Sequence, residues 1–562
     1  MLDIVAAGCY FTIFFTPMPR KLTIFFCFFL ALQDVFTQSL PFKGSDLPIV
    51  VIRTGGQEIP DDPRIIADMG IIHNPEGARN RLTDGFGEYN GKIAIEIRGQ
   101  SSQMFPMKSY GLGLRKTVGG SLEKSIFGLP AASEWILYAP YNDKTLMRNF
   151  LAYTLSRDMG RWAANCRYVE LVIDGDYKGI YVFMERIRRD AGRVDISKLS
   201  AKDESGDALT GGYIFSLDKE PDGWLSAYRP LQVPDGGAPR FSYVYPKADD
   251  ISTVQKDYLR RYVDSFETVL FGPDHQDPET GVRRYADLSS FIDYFLVNEV
   301  SRNVDAYRLS AYFHKDRNSI DGRIIAGPVW DFDLAFRNAN FCNGSDVEGW
   351  AYRYNEVCPT GGAGLVPFWW ERLMSDTQFL AALHCRWKAL RQTTFSPTRL
   401  FHMIDSVAGV VDEAQKRHFM RWPVLGRGIW PNSNPIPRSY AGEIIQLKAW
   451  LNARLAWIDR SLPQVGACAA WPAERTGTLV LSAFPNPFTG DGMVVAESMT
   501  EQTVKMFIAD GSGSVRMSRM ITLRAGRNSI SLQASAWPPG IYVVCMESRT
   551  GERFVQRMVK LR

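Results

Sequence analysis

The stretch GPVWDFDLAF, residues 327–336, decides how the chain is read. Asp331 and Asp333 stand either side of Phe332, directly after an apolar run. Two carboxylates this close repel each other unless positive charge lies between them. The plainer reading is a solvated strand end whose aspartate caps a helix. The sharper reading is an anionic pocket built for a cation. The surrounding segments weigh one against the other.

Upstream, ADLSSFIDYFLVNEV (286–300) carries Leu288, Phe291, Ile292, Phe295 and Leu296 at helical spacing, with Asp287 or Ser289 available as a cap. The loop SRNVD (301–305) follows, then an expected strand Tyr307–Lys315, a turn at DRNSIDG and a return through RIIAGPVW. An antiparallel hairpin sets the residue before its first strand beside the residue after its second, which places Asp305 near Asp331. Asn303 precedes the one and Asp333 follows the other. Three carboxylates and an amide at one sheet end are hard oxygen ligands suited to magnesium, manganese or calcium.

Farther out, LPIVVIRTGG reads as a buried strand, and KIAIEIRG alternates Ile93, Ile95 and Ile97 with Glu96 and Arg98. Residues 92–115 read as a hairpin with the long tip QSSQMFP. YVELVIDGDYKGIYVFMERI reads as another, turning at Asp174-Gly175-Asp176. Helices take over from about residue 250, among them SPTRLFHMIDSVAGVVDEAQ with Leu400, Ile404, Val407 and Val411 on one face. Sheet first and helices later is an α+β arrangement. Beyond Cys468 the composition shifts to short alternating strands with Gly and Asn turns, as in a small Ig-like β-sandwich.

At 562 residues the chain exceeds a single core. Its 65 basic and 61 acidic residues leave a net charge of only +4, which argues against a nucleic-acid partner. From Met18, an alternative start, MPRKLTIFFCFFLALQDVFTQ has a basic opening, an apolar run from Leu22 to Leu32 and a cleavage position before Gln38. That is the layout of a secretory leader, and no stable membrane span is expected in the mature chain. In an exported protein Cys342 and Cys358, which bracket a loop, read as a local disulfide. With no C-x-x-C pair and scattered histidines, a zinc site is not expected.

The series IEIRGQSSQMFPMKSYGLGL, YNDKTLMRNFLAYTLSRDMG, YVELVIDGDYKGIYVFMERI, NEVSRNVDAYRLSAYFHKD, GPVWDFDLAF and PFWWERLMSDTQFLAALHCRW, in this order, resembles the CotH-type spore-coat kinases. Those are atypical members of the protein-kinase-like fold, although H-R-D, D-F-G and G-x-G-x-x-G are all absent here. The resemblance implies a kinase-like domain over residues 38–467 and metal-dependent transfer of the ATP γ-phosphoryl group to Ser or Thr of a protein substrate, with Mg or Mn. It implies Lys108 on the ATP phosphates, Glu185 as its supporting acid, and Arg98 and Ser101 near phosphate. Asp305 would be the catalytic aspartate, and Asp331 and Asp333, with Asn303, the metal ligands. One departure matters: Ser310 stands where many members of the family carry Asn. Two other readings remain, a non-catalytic surface protein on a kinase-like scaffold and a calcium-stabilised adhesin, though the latter leaves Lys108 unexplained.

FPNPF, VKMFIADGSGSV, GRNSISL, PPGIYVV and RFVQRMVKL resemble the type A sorting domain of the type IX secretion system. That resemblance implies a leader at 1–37, a linker at 468–477, a sorting domain at 478–562 and the type IX machinery as a partner. The chain would cross the inner membrane by its leader and the outer membrane by its C-terminal domain, to end at the surface or released.

Overall fold

The computed structural model describes residues 42–561 apart from 76–77, 220, 234–235, 359–363, 465–467, 469–478, 485–487, 499–500, 511–513, 525 and 549–552. The expected leader, and the expected linker beyond Cys468, lie outside the described residues. The longer helices are α1 (Arg148–Asp158), α2 (Thr253–Phe271), α3 (Leu288–Ser301), α4 (Thr377–Arg391), α5 (Pro397–Val410), α6 (Asp412–Arg421) and α7 (Tyr440–Ser461). Two units form. One takes the described residues up to Phe150 with Ala164–Ile187 and Met403–Gln446; the other takes Leu151–Ala163, Arg188–His402 and the chain from Leu447 onward.

The first unit is built on β1 (Ile49–Arg53), β2 (Ile65–Ile72), β3 (Tyr89–Arg98), β4 (Ser109–Arg115), β5 (Glu134–Tyr138), β6 (Cys166–Ile173) and β7 (Asp176–Glu185). They close into a barrel in the order β1-β2-β3-β4-β5-β7-β6. The expected hairpins β3–β4 and β6–β7 are both present. The sheet is not purely antiparallel, because β1 and β6 pair in parallel, Ile49 against Glu170 through Ile52 against Ile173, and so shut the barrel. Ile52, Ile93, Ile95, Leu112, Leu171 and Phe183 fill its interior. At the β6–β7 turn Asp174 and Gly175 have φ of +48° and +83°, the left-handed pair that a two-residue hairpin requires.

Residues 403–446 complete this unit. The single helix expected from Ser396 onward breaks at buried Val411 into α5 and α6, while Leu400, Ile404, Val407 and Val411 are buried as the pattern predicts. From α6, Arg417 pairs with buried Glu170 at 2.7 Å. The ring of His418 accepts the Ile180 N–H at 3.1 Å through Nδ1, and burial holds this imidazole down to about 3.

In the second unit β8 (Tyr213–Leu217), β9 (Trp224–Leu225), β10 (Arg240–Tyr245), β11 (Ala311–Lys315) and β12 (Ile324–Ala326) form an antiparallel sheet in the order β9-β10-β8-β11-β12. Helix α2 opens on a capping box, Ser252 with Gln255. Asp287 caps α3, accepting from the Ser289 N–H at 3.1 Å, and nearly every residue of that helix is buried. Aromatic rings join sheet to helices, with Phe313 stacked on Phe215 at 5.6 Å and Trp369 edge-on to Phe266 at 4.8 Å. On α3, fully buried Glu299 meets fully buried Arg454 of α7 at 3.1 Å. Arg454 also donates to the carbonyls of Glu299, Val347 and Gly349. The expected Cys342–Cys358 disulfide is present; Cys385–Cys468, which spacing does not single out, is a second.

The C-terminal region is all β, with one sheet ordered β13 (Leu479–Phe484), β14 (Gly492–Ser498), β17 (Gly526–Leu532) and another ordered β16 (Val515–Leu523), β15 (Gln502–Asp510), β18 (Gly540–Glu547), β19 (Arg553–Lys560). Val494, Val504, Met506, Leu532, Val544 and Met546 form its core. The chain is therefore α+β with an all-β C-terminal region. Among the described residues no helix is long and apolar enough to cross a membrane.

Two buried ionisable sites of the second unit give tests. Glu267 on α2 is fully buried, accepting from Ser226 Oγ at 2.8 Å and Trp369 Nε1 at 2.9 Å, and burial pushes its carboxyl up to about 7. Between the ordinary carboxylate range and about 7 the folded chain holds a proton that the unfolded chain has shed. Stability is thus complete at low pH and falls as pH rises through that window. Denaturant midpoints from pH 4.5 to 8 should show the wild type losing up to about 3 kcal/mol relative to Glu267→Gln; a difference independent of pH would refute this. At the second site, Arg454→Met should cost about 3–5 kcal/mol by leaving Glu299 charged and enclosed. Adding Glu299→Gln should return part of that loss, and purely additive losses would refute the coupling.

Candidate functional site

In the second unit the sequence from α3 to β12 positions the candidate aspartates. After α3 the backbone turns left-handed at Arg302 (φ +47°), Tyr307 (+68°) and Ser310 (+48°). These turns explain why the strand expected from Tyr307 begins only at Ala311: a left-handed residue cannot extend a pleated ladder. The return strand likewise ends at Ala326, before Gly327 at φ +114°.

The short hairpin leaves both aspartate segments outside its paired ladder. Its register pairs Phe313 with Ala326 and Lys315 with Ile324. The ladder stops at Phe313 and Ala326 and sets no register for Asp305; Asn303, bonded to the Asp305 N–H and to the Asp331 carbonyl, is what joins the two segments. Of the carboxylates whose charge acts on Asp305, Asp333 acts most strongly. Burial pushes the Asp305 carboxyl up to about 6, Arg308 opposes this, and Asp333 adds to it. Arg308 Nη2 lies 3.8 Å from Asp305 Oδ1. Lys219 and Asp218, at the end of β8, act on the same carboxyl with opposite sign. About a fifth of the Asp305 side chain (22 %) still meets solvent.

Phe332 is buried, 1 % exposed, while Asp331 is exposed and Asp333 half-buried. The phenylalanine anchors the segment and turns both carboxylates away from the core. Asp331 is held left-handed at φ +62°, its N–H donating to Tyr153 Oη at 3.2 Å, and the Tyr153 ring stacks on Trp330. Aspartate tolerates this conformation better than most residues. Asn303 is buried and splints the two segments: its Oδ1 accepts the Asp305 N–H and its Nδ2 donates to the Asp331 carbonyl, both at 3.2 Å. Its amide oxygen is thereby engaged by backbone, which weakens the case for Asn303 as a metal ligand.

Among the described residues no group of three or more His, Cys, Asp or Glu side chains is close enough to hold a metal ion. The three-carboxylate cluster expected from the hairpin is therefore not assembled. One or two carboxylates commonly hold a magnesium-like ion, with water and phosphate completing its shell, so Asp333 with Asp331 is a sufficient donor set.

The remaining expected site residues belong to the first unit. Arg98 ends β3 opposite Ser109. Ser101 is exposed in a single 3-10 turn, Ser101–Met104, at the hairpin tip. Gly99 precedes that turn at φ +96°, where a Cβ would lie 2.1 Å from Ser102 Oγ, so the close tip needs glycine. Half-buried Lys108 donates to the Gln103 carbonyl at 2.5 Å. Glu185, fully buried at the end of β7, accepts from the backbone N–H and the side-chain amide of Asn165 at 2.9 and 2.8 Å. The lysine is thus held by the tip's own backbone rather than by Glu185. Sequence reasoning missed Arg308 and Tyr153; the one available signal for Arg308 was its i+3 spacing from Asp305.

Residues 95–458 match the family described as CotH kinase protein, and 482–560 match the secretion system C-terminal sorting domain. No curated protein matches the chain. Among solved structures, a β-glucosidase from Listeria innocua, alone and in complex with glucose, aligns at 12% identity with a TM-score of 0.12, over 15% of this chain and 16% of that one. Likeness so slight carries no argument. The sorting domain marks the chain for secretion or cell-surface export. Because residues 95–458, well over half of the chain, match its model, the chain belongs to the CotH kinase protein family.

Proposed function

We propose that the chain is an exported phosphotransferase that moves the ATP γ-phosphoryl group to serine or threonine hydroxyls of proteins. A leader at 1–37, a kinase-like domain at 38–467 and a sorting domain at 478–562, recognised by the type IX machinery, would organise it. The observation that carries this reading is the Asp305–Asp333 pair, with buried Arg308 beside it.

In this reading Asp305 orients the acceptor hydroxyl and receives its proton as the oxygen attacks phosphorus and the bond to the β-phosphate oxygen breaks. A carboxyl raised by burial is a better proton acceptor than an exposed one. Asp333, with Asp331, would hold Mg or Mn, which when bound neutralises charge on the phosphates. Lys108 would add a cation toward phosphate, with Arg98 and Ser101 at the same hairpin tip, while Glu185 holds the Asn165 segment at the end of β7. Asn303 holds the two aspartate segments in register.

The non-catalytic reading has specific support of its own. Lys108 Nζ is engaged by Gln103, the Asn303 amide by backbone, and Ser310 stands where an amide ligand is usual. Titration calorimetry of ATP with manganese into the folded full chain separates the two. The phosphotransferase reading expects a dissociation constant of roughly micromolar order, weakened at least about tenfold in Asp333→Asn and in Asp331→Asn. Asp305→Asn should keep binding but lower turnover by about 100-fold or more. No heat in the folded wild-type protein would leave the scaffold reading standing.

A further inference from the structure

The loop closed by Cys342–Cys358 is bonded to the Asp305 loop at several points. Ala351 and Tyr352 donate their N–H groups to Glu299 at 2.8 and 3.0 Å. Arg302 Nη1 donates to the Gly349 carbonyl at 2.9 Å, and Tyr354 Oη donates to the Arg302 carbonyl at 3.1 Å. The last contact reaches the disulfide itself: Arg308 Nη1 lies 3.4 Å from Cys358 Sγ. The same guanidinium has Nη2 3.8 Å from Asp305 Oδ1, lies over the Tyr354 ring at 5.9 Å, and is only 3 % exposed. A guanidinium this enclosed keeps its place through fixed partners on each side. Here those include the Asp305 carboxylate, the Cys358 sulfur and, at 3.5 Å, the Gly364 carbonyl.

Resting on the phosphotransferase reading above, we propose that Arg308 is the positioning residue of Asp305, and that the Cys342–Cys358 disulfide holds Arg308 for that task. Transfer then depends on the oxidation state of this bridge. A small-molecule dithiol supplies two electrons and two protons, so that the bridge becomes two thiols and the dithiol closes into its own disulfide. The 342–358 loop then loses its cross-link. Cys358 beside a guanidinium is favoured as thiolate and draws the arginine toward sulfur. Asp305 stays in the chain, but its hydroxyl-orienting geometry goes.

The test uses the full chain with manganese–ATP and dephosphorylated casein as a serine/threonine acceptor. Arg308→Gln and the pair Cys342→Ala/Cys358→Ala should each lower kcat about tenfold, with KM for ATP and manganese–ATP affinity within about threefold of wild type. Their combination should fall little further than either alone, which is the signature of one coupled device. Arg308→Lys should recover part of the loss, and Cys385→Ala/Cys468→Ala should leave turnover unchanged. Full activity in Arg308→Gln, additive losses, or equal losses from both cysteine pairs would overturn the proposal while leaving the phosphotransferase reading intact. If Arg308→Gln does not fold, Arg308→Lys and the two cysteine pairs decide by the same criteria. A folded wild-type chain that neither binds manganese–ATP nor labels casein would sink both.

Discussion

The buried pair of Glu299 and Arg454 is the constraint on which the second unit's site depends. Glu299 closes α3, and its two oxygens take up Tyr307, Ala351, Tyr352 and Arg454 together. With so many donors converging, the end of α3 has one position, and the loop that carries Asp305 departs from it in one direction. A buried ion pair adds little net stability, because desolvation offsets the attraction. Its contribution here is geometric. Tyr307, two residues beyond Asp305, is bent left-handed and still reaches Glu299 with its hydroxyl.

Backbone strain is gathered in the same place. Among the described residues eleven non-glycine positions have positive φ, and eight of them lie between Arg302 and Asn343. Such conformations persist only where the surroundings over-determine them, and they concentrate at sites that must hold an exact shape. The doubled aspartate of WDFD belongs to this pattern. One buried ring, Phe332, fixes the segment from within, and the left-handed turn at Asp331 separates the two carboxylates instead of lining them up.

Much of the fold could be read from the sequence because alternation and helical spacing report burial directly. The barrel hairpins, α3 with its Asp287 cap and the strand-rich C-terminal region all follow from such patterns. Closure of the barrel does not, since the parallel β1–β6 pairing is a contact between distant segments that leaves no local periodicity. The break at Val411 was hidden for a related reason: the apolar face continues across it. At the site, the aspartates were visible as residue types, but their partners were not. Left-handed turns at Tyr307 and Ser310 shortened the hairpin, so that Asn303 and not the ladder joins the Asp305 loop to the Asp331 segment. Tertiary packing, which sequence spacing does not record, imposes those turns.

The order in which the chain supplies its parts has a consequence for when it can fold. The barrel is encoded before residue 188, yet the groups that engage Glu170 and the Ile180 N–H, Arg417 and His418, arrive more than two hundred residues later. During synthesis the first unit therefore waits, with the buried Glu170 carboxylate lacking its guanidinium, until the whole of 188–402 has been made. Premature completion of the native barrel unit is excluded by chain order alone.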